Sequence, residues 1–163
     1  MQVEIRHNPS FALARCMLAP NEPMRAESGA MSAMSPDVGI AAQMEGGVMR
    51  SLKRSVLGGE SLFVTAYTAG PMGGWVDVAA SLPGDLLTLP VSVGQDWNLS
   101  RGSWLANEHS VTIDTTWGGF GNPMGGEGGF LVRATGPGDV LAHSRNPQAL
   151  LDYLTARLPF TRA

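Results

Sequence analysis

The sequence has little cysteine, little charge and no long apolar run, and each shortage excludes a class of protein. Its single cysteine, Cys16, excludes an internal disulfide and a multi-cysteine zinc site. Charged residues make up only 15% of the chain and hydrophobic residues 44%, a balance that excludes a disordered tail. No run approaches the ~20 apolar residues needed to cross a bilayer.

The N-terminal stretch MQVEIRHNPS lacks the apolar core of a signal peptide, since Glu4, Arg6 and His7 interrupt it. We therefore expect a soluble, cytoplasmic protein. The net charge of −3 is spread along the chain, whereas a nucleic-acid surface needs a clustered basic face, so we expect no DNA partner and regard RNA as disfavoured. A chain of 163 residues fits a single domain, 1–163, with a real core.

What the sequence does contain is turns and alternation. Its 21 glycines and 11 prolines are typical of short strands joined by tight turns, and they predict an all-β fold. In FLVRAT (130–135), Phe130, Val132 and Ala134 share one face, as in a half-buried strand. The stretch LLTLPVSV is predicted to be an edge strand or to be bulged at Pro90, because Pro90 cannot donate to a central ladder. Its residues predicted to share one face are Leu87, Leu89, Val91 and Val93.

One helix is predicted, over about 147–158. Asn146 is a good N-cap, and Pro147 suits the first helical position. We expect its leucine stripe to cover an end or an edge of the sheet structure. The stripe consists of Leu150, Leu151, Leu154 and Leu158.

The chain repeats itself. Residues 25–38 align with residues 98–111, which places Gly29 opposite Gly102. Gly-Gly-Glu phrases and Pro-Gly-Asp turns then follow in the same order in both halves. We therefore predict two pseudo-repeats, over about 11–90 and about 91–143. The first has two additions, at 48–57 and at 67–81, and the second of these is predicted to be an extra hairpin.

Several ordered motifs carry a family resemblance: GAMSAMSPDV, LGGESLFVTAYTA, LPGDLLTL, RGSWLA and GPGDVLAHSRNPQALLDYL. Together they closely resemble the altered-inheritance-of-mitochondria family, which occurs in bacteria and in fungal mitochondria. The resemblance runs from about residue 3 to about residue 159. It implies a β-sandwich or double-stranded β-helix related to the tryptophan-RNA-binding attenuator fold, and association as a trimer or higher oligomer. Typical members carry about three repeats where this chain shows two, and their biochemistry is largely unsettled.

The Gly-Gly-Glu phrases have two interpretations. Backbone-rich loops with one carboxylate each could bind a cation or a ligand amine. Alternatively, glycine allows close strand approach while the glutamate caps backbone N–H groups, which makes each phrase a structural corner. We favour the corner, because a whole repeat accompanies each phrase. The residues are Gly58, Gly59, Glu60, Gly125, Gly126 and Glu127.

Catalytic and metal-binding patterns are weak. A cupin-like metal site needs a His-x-His pair and further ligands, whereas His7, His109 and His143 are isolated. There is no Gly-x-Ser-x-Gly elbow, and Cys16 has no local nucleophile signature. The sequence therefore predicts no catalytic residue, no metal and no cofactor, and a cupin-like enzyme is only the third hypothesis for function.

Two stretches suggest surfaces for partners. In VMRSLKRSVL, the cations Arg50, Lys53 and Arg54 have helical spacing opposite apolar residues, which suits either an anionic membrane surface or an inserted loop packed on protein. Nine methionines and four tryptophans are more apolar surface than a small β domain easily buries, so we expect a homo-oligomer. The candidate interface residues are Met31, Met34 and Trp104.

The function expected from these patterns is a non-enzymatic, homo-oligomeric scaffold or interaction protein that works at a membrane surface in one version. The alternative is a regulator that binds a small ligand or RNA, by analogy with the attenuator fold, and analogy of fold is a weak argument for function.

Overall fold

The computed structural model describes residues 1–42, 64–100, 102–117 and 130–158. Within these ranges the chain forms thirteen short strands and one helix, which confirms the predicted all-β class with a C-terminal helix. The strands are β1 (Gln2–Arg6), β2 (Leu13–Leu18), β3 (Pro23–Glu27), β4 (Met31–Met34), β5 (Gly39–Ala42), β6 (Val64–Thr68), β7 (Gly74–Ala79), β8 (Leu86–Val91), β9 (Trp97–Ser100), β10 (Trp104–Glu108), β11 (Thr112–Trp117), β12 (Phe130–Thr135) and β13 (Gly138–His143). The helix, α1, spans Pro147–Thr155.

Hydrogen bonds join these strands into three antiparallel sheets. The first sheet has the order β1-β2-β7-β4, the second β5-β6-β3-β10-β13-β8, and the third β11-β12-β9. Among the described strands, the sheet edges are therefore β1, β4, β5, β8, β9 and β11.

One strand arrangement occurs twice in these sheets. In β2–β7, which we call the first unit, β7 pairs with β2 and β4, and β6 pairs with β3 and β5. In β8–β13, the second unit, β13 pairs with β8 and β10, and β12 pairs with β9 and β11. Each strand of the second unit thus lies six places after its equivalent in the first.

The register of the pairing repeats as well. Equivalent partners include Leu13–Ala79 with Leu86–His143, and Met34–Val76 with Asn107–Val140. Even a shift in register recurs, between Met31 and Ala33 in β4 and between Trp104 and Ala106 in β10. The 73-residue offset seen in the sequence therefore relates equivalent positions in β2 and β8 and in β4 and β10, whereas their partners in β7 and β13 are offset by 64 residues (143 − 79 and 140 − 76).

The corners at Gly29 and Gly102 show why glycine stands at both positions. Their φ angles are +91° and +76°, in the left-handed region that other residues enter only at a cost. Each glycine lies in a turn closed by one backbone hydrogen bond. These bonds run from Ala30 N–H to Glu27 O at 3.0 Å and from Ser103 N–H to Ser100 O at 3.1 Å.

The boundary between the units differs from the expected one. Because β8 pairs within the second unit, the boundary falls at about 80–85 and not near residue 90. The stretch 67–81 is not an added hairpin, since it contains β7, the equivalent of β13. The two Pro-Gly-Asp turns are consequently not equivalent: 83–85 precedes β8, whereas 137–139 opens β13.

Two clusters of buried apolar side chains form the core. The first gathers residues of the first unit but also takes Leu86, Leu105, Ala106 and Leu141 from the second. The other cluster lies in the second unit, and Trp104 is its largest member. The units therefore share buried surface near the place where β3 pairs with β10, and that pairing joins them.

Strand faces agree with the alternation in one strand and depart from it in another. In β12, Val132 and Ala134 are both buried, as predicted. In β8, however, the side chain of Leu87 is 52% exposed. Val93, which lies just beyond the end of β8, is 80% exposed. Pro90 does lie on an edge strand, and this edge buries only the residues at its two ends, Leu86 and Val91.

The helix starts where the sequence predicts and covers less than expected. The backbone carbonyl of Asn146 accepts a hydrogen bond from Leu150 N–H at 3.2 Å, as an N-cap residue should. The helix ends at Thr155, three residues before the predicted end. Leu150, Leu151 and Leu158 are 43–55% exposed, so in a single copy most of the stripe faces outward.

Candidate functional site

The two Gly-Gly-Glu corners lie outside the described residues. The described chain resumes a few residues after each phrase, at β6 and β12, and these two strands are equivalent in pairing and register. Each phrase thus leads into the same strand of its unit. Arg50, Lys53 and Arg54, the candidate contacts to an anionic surface, also lie outside the described residues.

The three candidate interface residues have different environments. Met31 and Met34 are half-buried on β4, which is the last strand of the first sheet. Trp104 departs from the expectation, because its side chain is 1% exposed and packs inside the second cluster. The indole is buried because β10 is a central strand with neighbours on both sides, whereas β4 has a neighbour on one side only.

Asn107 is an important polar residue that the sequence patterns did not indicate. It is fully buried, and its Oδ1 accepts a hydrogen bond from Trp104 Nε1 at 3.1 Å. Its Nδ2 donates to Glu108 O at 2.7 Å and to Val111 O at 3.1 Å. One side chain therefore holds both the buried indole and the turn after β10, which satisfies groups that would otherwise be costly to bury.

A charged pair lies on the first sheet. Arg15 on β2 faces Asp77 on β7, with Nε to Oδ1 at 2.8 Å and a terminal nitrogen to Oδ2 at 2.7 Å. The guanidinium also lies 4.0 Å from the ring centroid of Trp75. The hydrogen bonds to Asp77 raise the pKa of Arg15. This bidentate, stacked geometry fixes the arginine in place, as expected of a structural pair.

A second charged cluster joins the units. The Met1 amine donates to Glu22 and, at 2.9 Å, to Glu108, whose other oxygen accepts the Asp139 N–H at 3.0 Å. Burial, with the nearby Glu108 charge added, raises the pKa of Asp139. Glu22 precedes β3 and Glu108 ends β10, so the cluster supports the junction of the two strands.

Burial shifts the pKa values of Cys16 and His143 in the direction that favours the neutral form of each. Burial raises the pKa of the Cys16 thiol to about 12, which leaves almost no thiolate at neutral pH. Burial lowers the pKa of His143, against a backbone hydrogen bond at Arg145 that acts to raise it. The Nδ1 atom of His143 is buried without a hydrogen-bond partner. Across 1–42, 64–100, 102–117 and 130–158, no three His, Cys, Asp or Glu side chains converge to hold a metal ion.

An open groove of about 560 Å³ lies beside the helix. It runs between the start of α1, the end of β9 and the loop before β8. Its polar lining comes from Ser100, Ser103, Ser144, Arg145, Asn146 and Tyr153, and Leu82, Pro83 and Leu150 complete it. Hydroxyl groups and one cation in a concave surface are able to bind a small polar molecule.

The described surface also carries many large apolar side chains. The most exposed are Met72 at 89%, Val93 at 80% and Phe11 at 71%. Ile40, Leu87, Trp97 and the helix leucines add to this surface. In the part of the chain that the structure describes, no helix is both long and apolar enough to cross a membrane.

Comparison with known proteins gives a family and a fold. The family described as mitochondrial biogenesis AIM24 matches residues 3–151. No functionally curated protein matches the chain. The crystal structure of protein SPYM3_0169 from Streptococcus pyogenes is similar, with a TM-score of 0.68 and 23% identity. The match covers 88% of this chain and 64% of the streptococcal chain, so the present sequence spans less than two thirds of that protein.

Proposed function

We propose that this chain, which belongs to the mitochondrial biogenesis AIM24 family, is a non-enzymatic scaffold or interaction protein that assembles as a homo-oligomer. The observation that carries the proposal is the apolar surface of the single copy. Phe11, Met72 and Val93 are each more than two thirds exposed, and the apolar side of α1 is largely uncovered. Exposed apolar surface of this kind usually marks a site of association.

The electrostatics of the described residues also favour this function. Cys16 is held as a neutral thiol, so it does not supply the thiolate that nucleophilic chemistry needs. The polar clusters at Arg15–Asp77 and at Asn107 are satisfied internally, which suits a structural role.

Mass by light scattering tests the proposal. We expect a trimer or a larger assembly of the 17.2 kDa chain, stable on dilution to micromolar concentration. Phe11→Ser and Val93→Ser variants would control for nonspecific aggregation. In a specific assembly, removing one exposed apolar side chain should weaken association only if that residue lies in the subunit interface. A mass equal to one chain across the concentration range would contradict the proposal.

Membrane-surface attachment is the finer version of this function. Three cations contribute on the order of 3 kcal/mol at an anionic surface, and copies in one assembly add their contributions. We expect flotation with vesicles containing phosphatidylserine, and its loss when Arg50, Lys53 and Arg54 are all replaced by Ala. Arg145→Ala is the matched control, because it removes an exposed cation elsewhere. If the protein does not float with the vesicles, the membrane version of the proposal is contradicted and the scaffold version is unaffected.

The groove beside α1 favours a second candidate, a regulator that binds a small molecule. Its volume of about 560 Å³ and its hydroxyl-rich lining would suit a compact polar ligand. Native mass spectrometry of the purified protein would reveal a bound small molecule as a fixed mass increment. Loss of that increment in Arg145→Ala would place the ligand in the groove, and a bare chain mass would contradict this candidate.

A further inference from the structure

We propose that strand β9 of one copy pairs with strand β4 of a second copy, antiparallel and head to tail, in the way that β3 pairs with β10 within the chain. This inference rests on the proposed self-association and specifies its interface.

The joint between the two units is the starting point. β3 of the first unit pairs with β10 of the second, with Ala26 opposite Ala106, Arg25 opposite Asn107 and Met24 opposite Glu108. The partner of β10 in the second unit, β13, lies on the other side of β10. One unit thus offers the outer edge of its β3-type strand, and the next unit offers the outer edge of its β4-type strand.

The equivalents of the two strands that form this joint, β3 and β10, are both edge strands. β9 is the equivalent of β3, and it ends the third sheet. β4 is the equivalent of β10, and it ends the first sheet. Neither has a neighbour on its outer side among the described strands, so within this part of the chain no strand pairs with the outer backbone N–H and C=O groups of either.

Two pairs of equivalent residues differ in exposure according to whether their strand has a neighbour across the joint. Ala106 is fully buried in β10, whereas its equivalent Ala33 is exposed in β4. Met24 is fully buried in β3, whereas its equivalent Trp97 is 43% exposed in β9. These two positions change from buried to exposed where the strand across the joint is absent from the single copy, whereas Leu99, like its equivalent Ala26, is buried.

The irregularity in β4 does not prevent such pairing. A bulge on an edge strand often blocks the approach of another strand. Here the shift in register between Met31 and Ala33 recurs in β10 between Trp104 and Ala106, and β10 still pairs with β3 on its outer side. The outer edge of β4 therefore has the same irregular geometry as the outer edge of β10, and in β10 that edge pairs with β3.

The other edge strands in the described part of the chain either carry residues that discourage pairing with another sheet or have an equivalent strand that is also unpaired there on its outer side. β1 carries Glu4 and Arg6, β8 carries Pro90 and β11 carries Asp114, residues of the kind that discourage pairing between sheets. β4 (MSAM) and β9 (WNLS) carry neither charge nor proline. β5 is also uncharged, but its equivalent β11 is an edge too, so the repeat assigns β5 no partner.

The repeat fixes the register of the proposed contact. Moving the β3–β10 pairs by the 73-residue offset places Leu99 opposite Ala33, Asn98 opposite Met34 and Trp97 opposite Ser35 of the second copy. Because the two contributing surfaces differ, the contact is heterologous, and successive copies either close a ring or extend as a fibre.

Cysteine cross-linking between mixed variants tests this register. Met34→Cys and Asn98→Cys are prepared separately in the full chain, checked for native circular dichroism, mixed and mildly oxidised. We expect a disulfide-linked dimer on a non-reducing gel from the mixture and monomer from either variant alone, since opposite positions of an antiparallel pair are close enough for a disulfide. If Met34→Cys misfolds, Ser35→Cys mixed with Trp97→Cys reports the same register.

The control is Ser10→Cys, an exposed position in the turn between β1 and β2, at the opposite edge of the first sheet from β4. Met34→Cys mixed with Ser10→Cys should give no cross-link. An oligomer whose copies cross-link no better at 34 and 98 than at 34 and 10 would overturn the inference and leave the proposed function standing. A mass of one chain by light scattering would overturn both.

A charge on the edge gives an independent readout. Ala33→Glu is tolerated in a single copy, where Ala33 is exposed, but the paired equivalent Ala106 is fully buried. We expect Ala33→Glu to increase the dissociation constant of the assembly at least tenfold and to leave the unfolding transition of the dissociated chain unchanged. Ser10→Glu, at an exposed position in the turn between β1 and β2, should alter neither. Equal effects of the two variants on assembly would contradict the β4 contact.

Discussion

Ala33 and Ala106 occupy the same position in the two units, yet Ala106 is fully buried and Ala33 is exposed. Their strands have the same pairing inside each unit and the same shift in register. The neighbour on the outer side differs, because β10 has β3 there and β4 has none among the described strands. A repeated sequence thus meets two environments, and several consequences of the fold can be measured.

The two corner glycines should differ in their tolerance of a side chain. Gly29 has a φ of +91° with open space around it, so Gly29→Ala should cost about 1 kcal/mol of unfolding free energy through backbone strain alone. A Cβ on Gly102 would also lie 3.0 Å from Asn146 Oδ1, so Gly102→Ala should cost about 2 kcal/mol. Urea unfolding followed by tryptophan fluorescence measures both. Gly94, with a φ of +79° and open space, should behave like Gly29; a larger loss at Gly29 than at Gly102 would contradict the account.

Replacing Asn107 should be among the most damaging polar substitutions in the chain. Asn107→Ala leaves the buried Trp104 Nε1–H and two carbonyl oxygens without this partner, which should cost about 3 kcal/mol. Asn98→Ala, on exposed β9, should change stability by no more than about 0.5 kcal/mol. Denaturant unfolding of the two variants provides the comparison, and similar losses would show that the Asn107 network contributes little.

His143 should make the fold less stable in mild acid. Burial holds its folded-state pKa below the ordinary value of 6.5, so the unfolded chain binds the proton more readily. Stability is therefore full above about pH 6.5 and decreases as the pH falls through the folded-state pKa. We expect the difference in unfolding free energy between pH 7.5 and pH 5.5 to be smaller in His143→Asn than in the natural chain.

The His143→Asn variant must be compared with the natural chain, because carboxyl groups also make the unfolding free energy depend on pH. Burial raises the pKa values of Glu27 and Asp139, and those groups lose stability as the pH rises, which is the opposite sign. They are present in both proteins, so their contribution cancels in the difference. Identical pH profiles would mean that His143 titrates normally in the folded chain.

Cys16 should be inert in the folded protein. Its side chain is fully buried in β2, and its pKa of about 12 leaves almost no thiolate at pH 8. We expect a thiol reagent such as 5,5′-dithiobis(2-nitrobenzoic acid) to label it at least a hundredfold more slowly in buffer than in 6 M urea. Val93→Cys, exposed at the surface, should label at once. Rapid labelling of Cys16 in the native protein would show that the first sheet opens readily.

The Cys16 result also supports the cross-linking experiment. A buried, protonated thiol does not form disulfides with introduced cysteines, so the natural chain supplies its own low background. A cross-link in a mixture of variants then reports only the introduced positions.

Local patterns were sufficient for part of the fold. The alternation in FLVRAT predicted the buried pair Val132 and Ala134, and Asn146–Pro147 predicted the start of the helix. Such features depend on neighbours in the sequence and on backbone preferences, which a single chain reveals directly. The corner glycines are of the same kind, because a positive φ is a local requirement.

The limits of the units could not be read from turns alone. Pro-Gly-Asp occurs twice, but at non-equivalent places, and only the pairing of β8 with β13 assigns β8 to the second unit. Similarly, Trp104 and Met31 are equivalent in the repeat, and the sequence suggested one surface for both. Pairing with β3 makes β10 a central strand and buries Trp104, while β4 stays at an edge.

By itself, the sequence determined the class of fold, the presence of a repeat and the local corners, since composition, period-two alternation and glycine positions set these through short-range physics. Tertiary structure alone decided which strands pair, where the units divide and which of two equivalent edges has a neighbour. Burial depends on contacts between residues far apart in the chain, so Ala33 and Ala106, at equivalent positions of the two units, reach opposite outcomes.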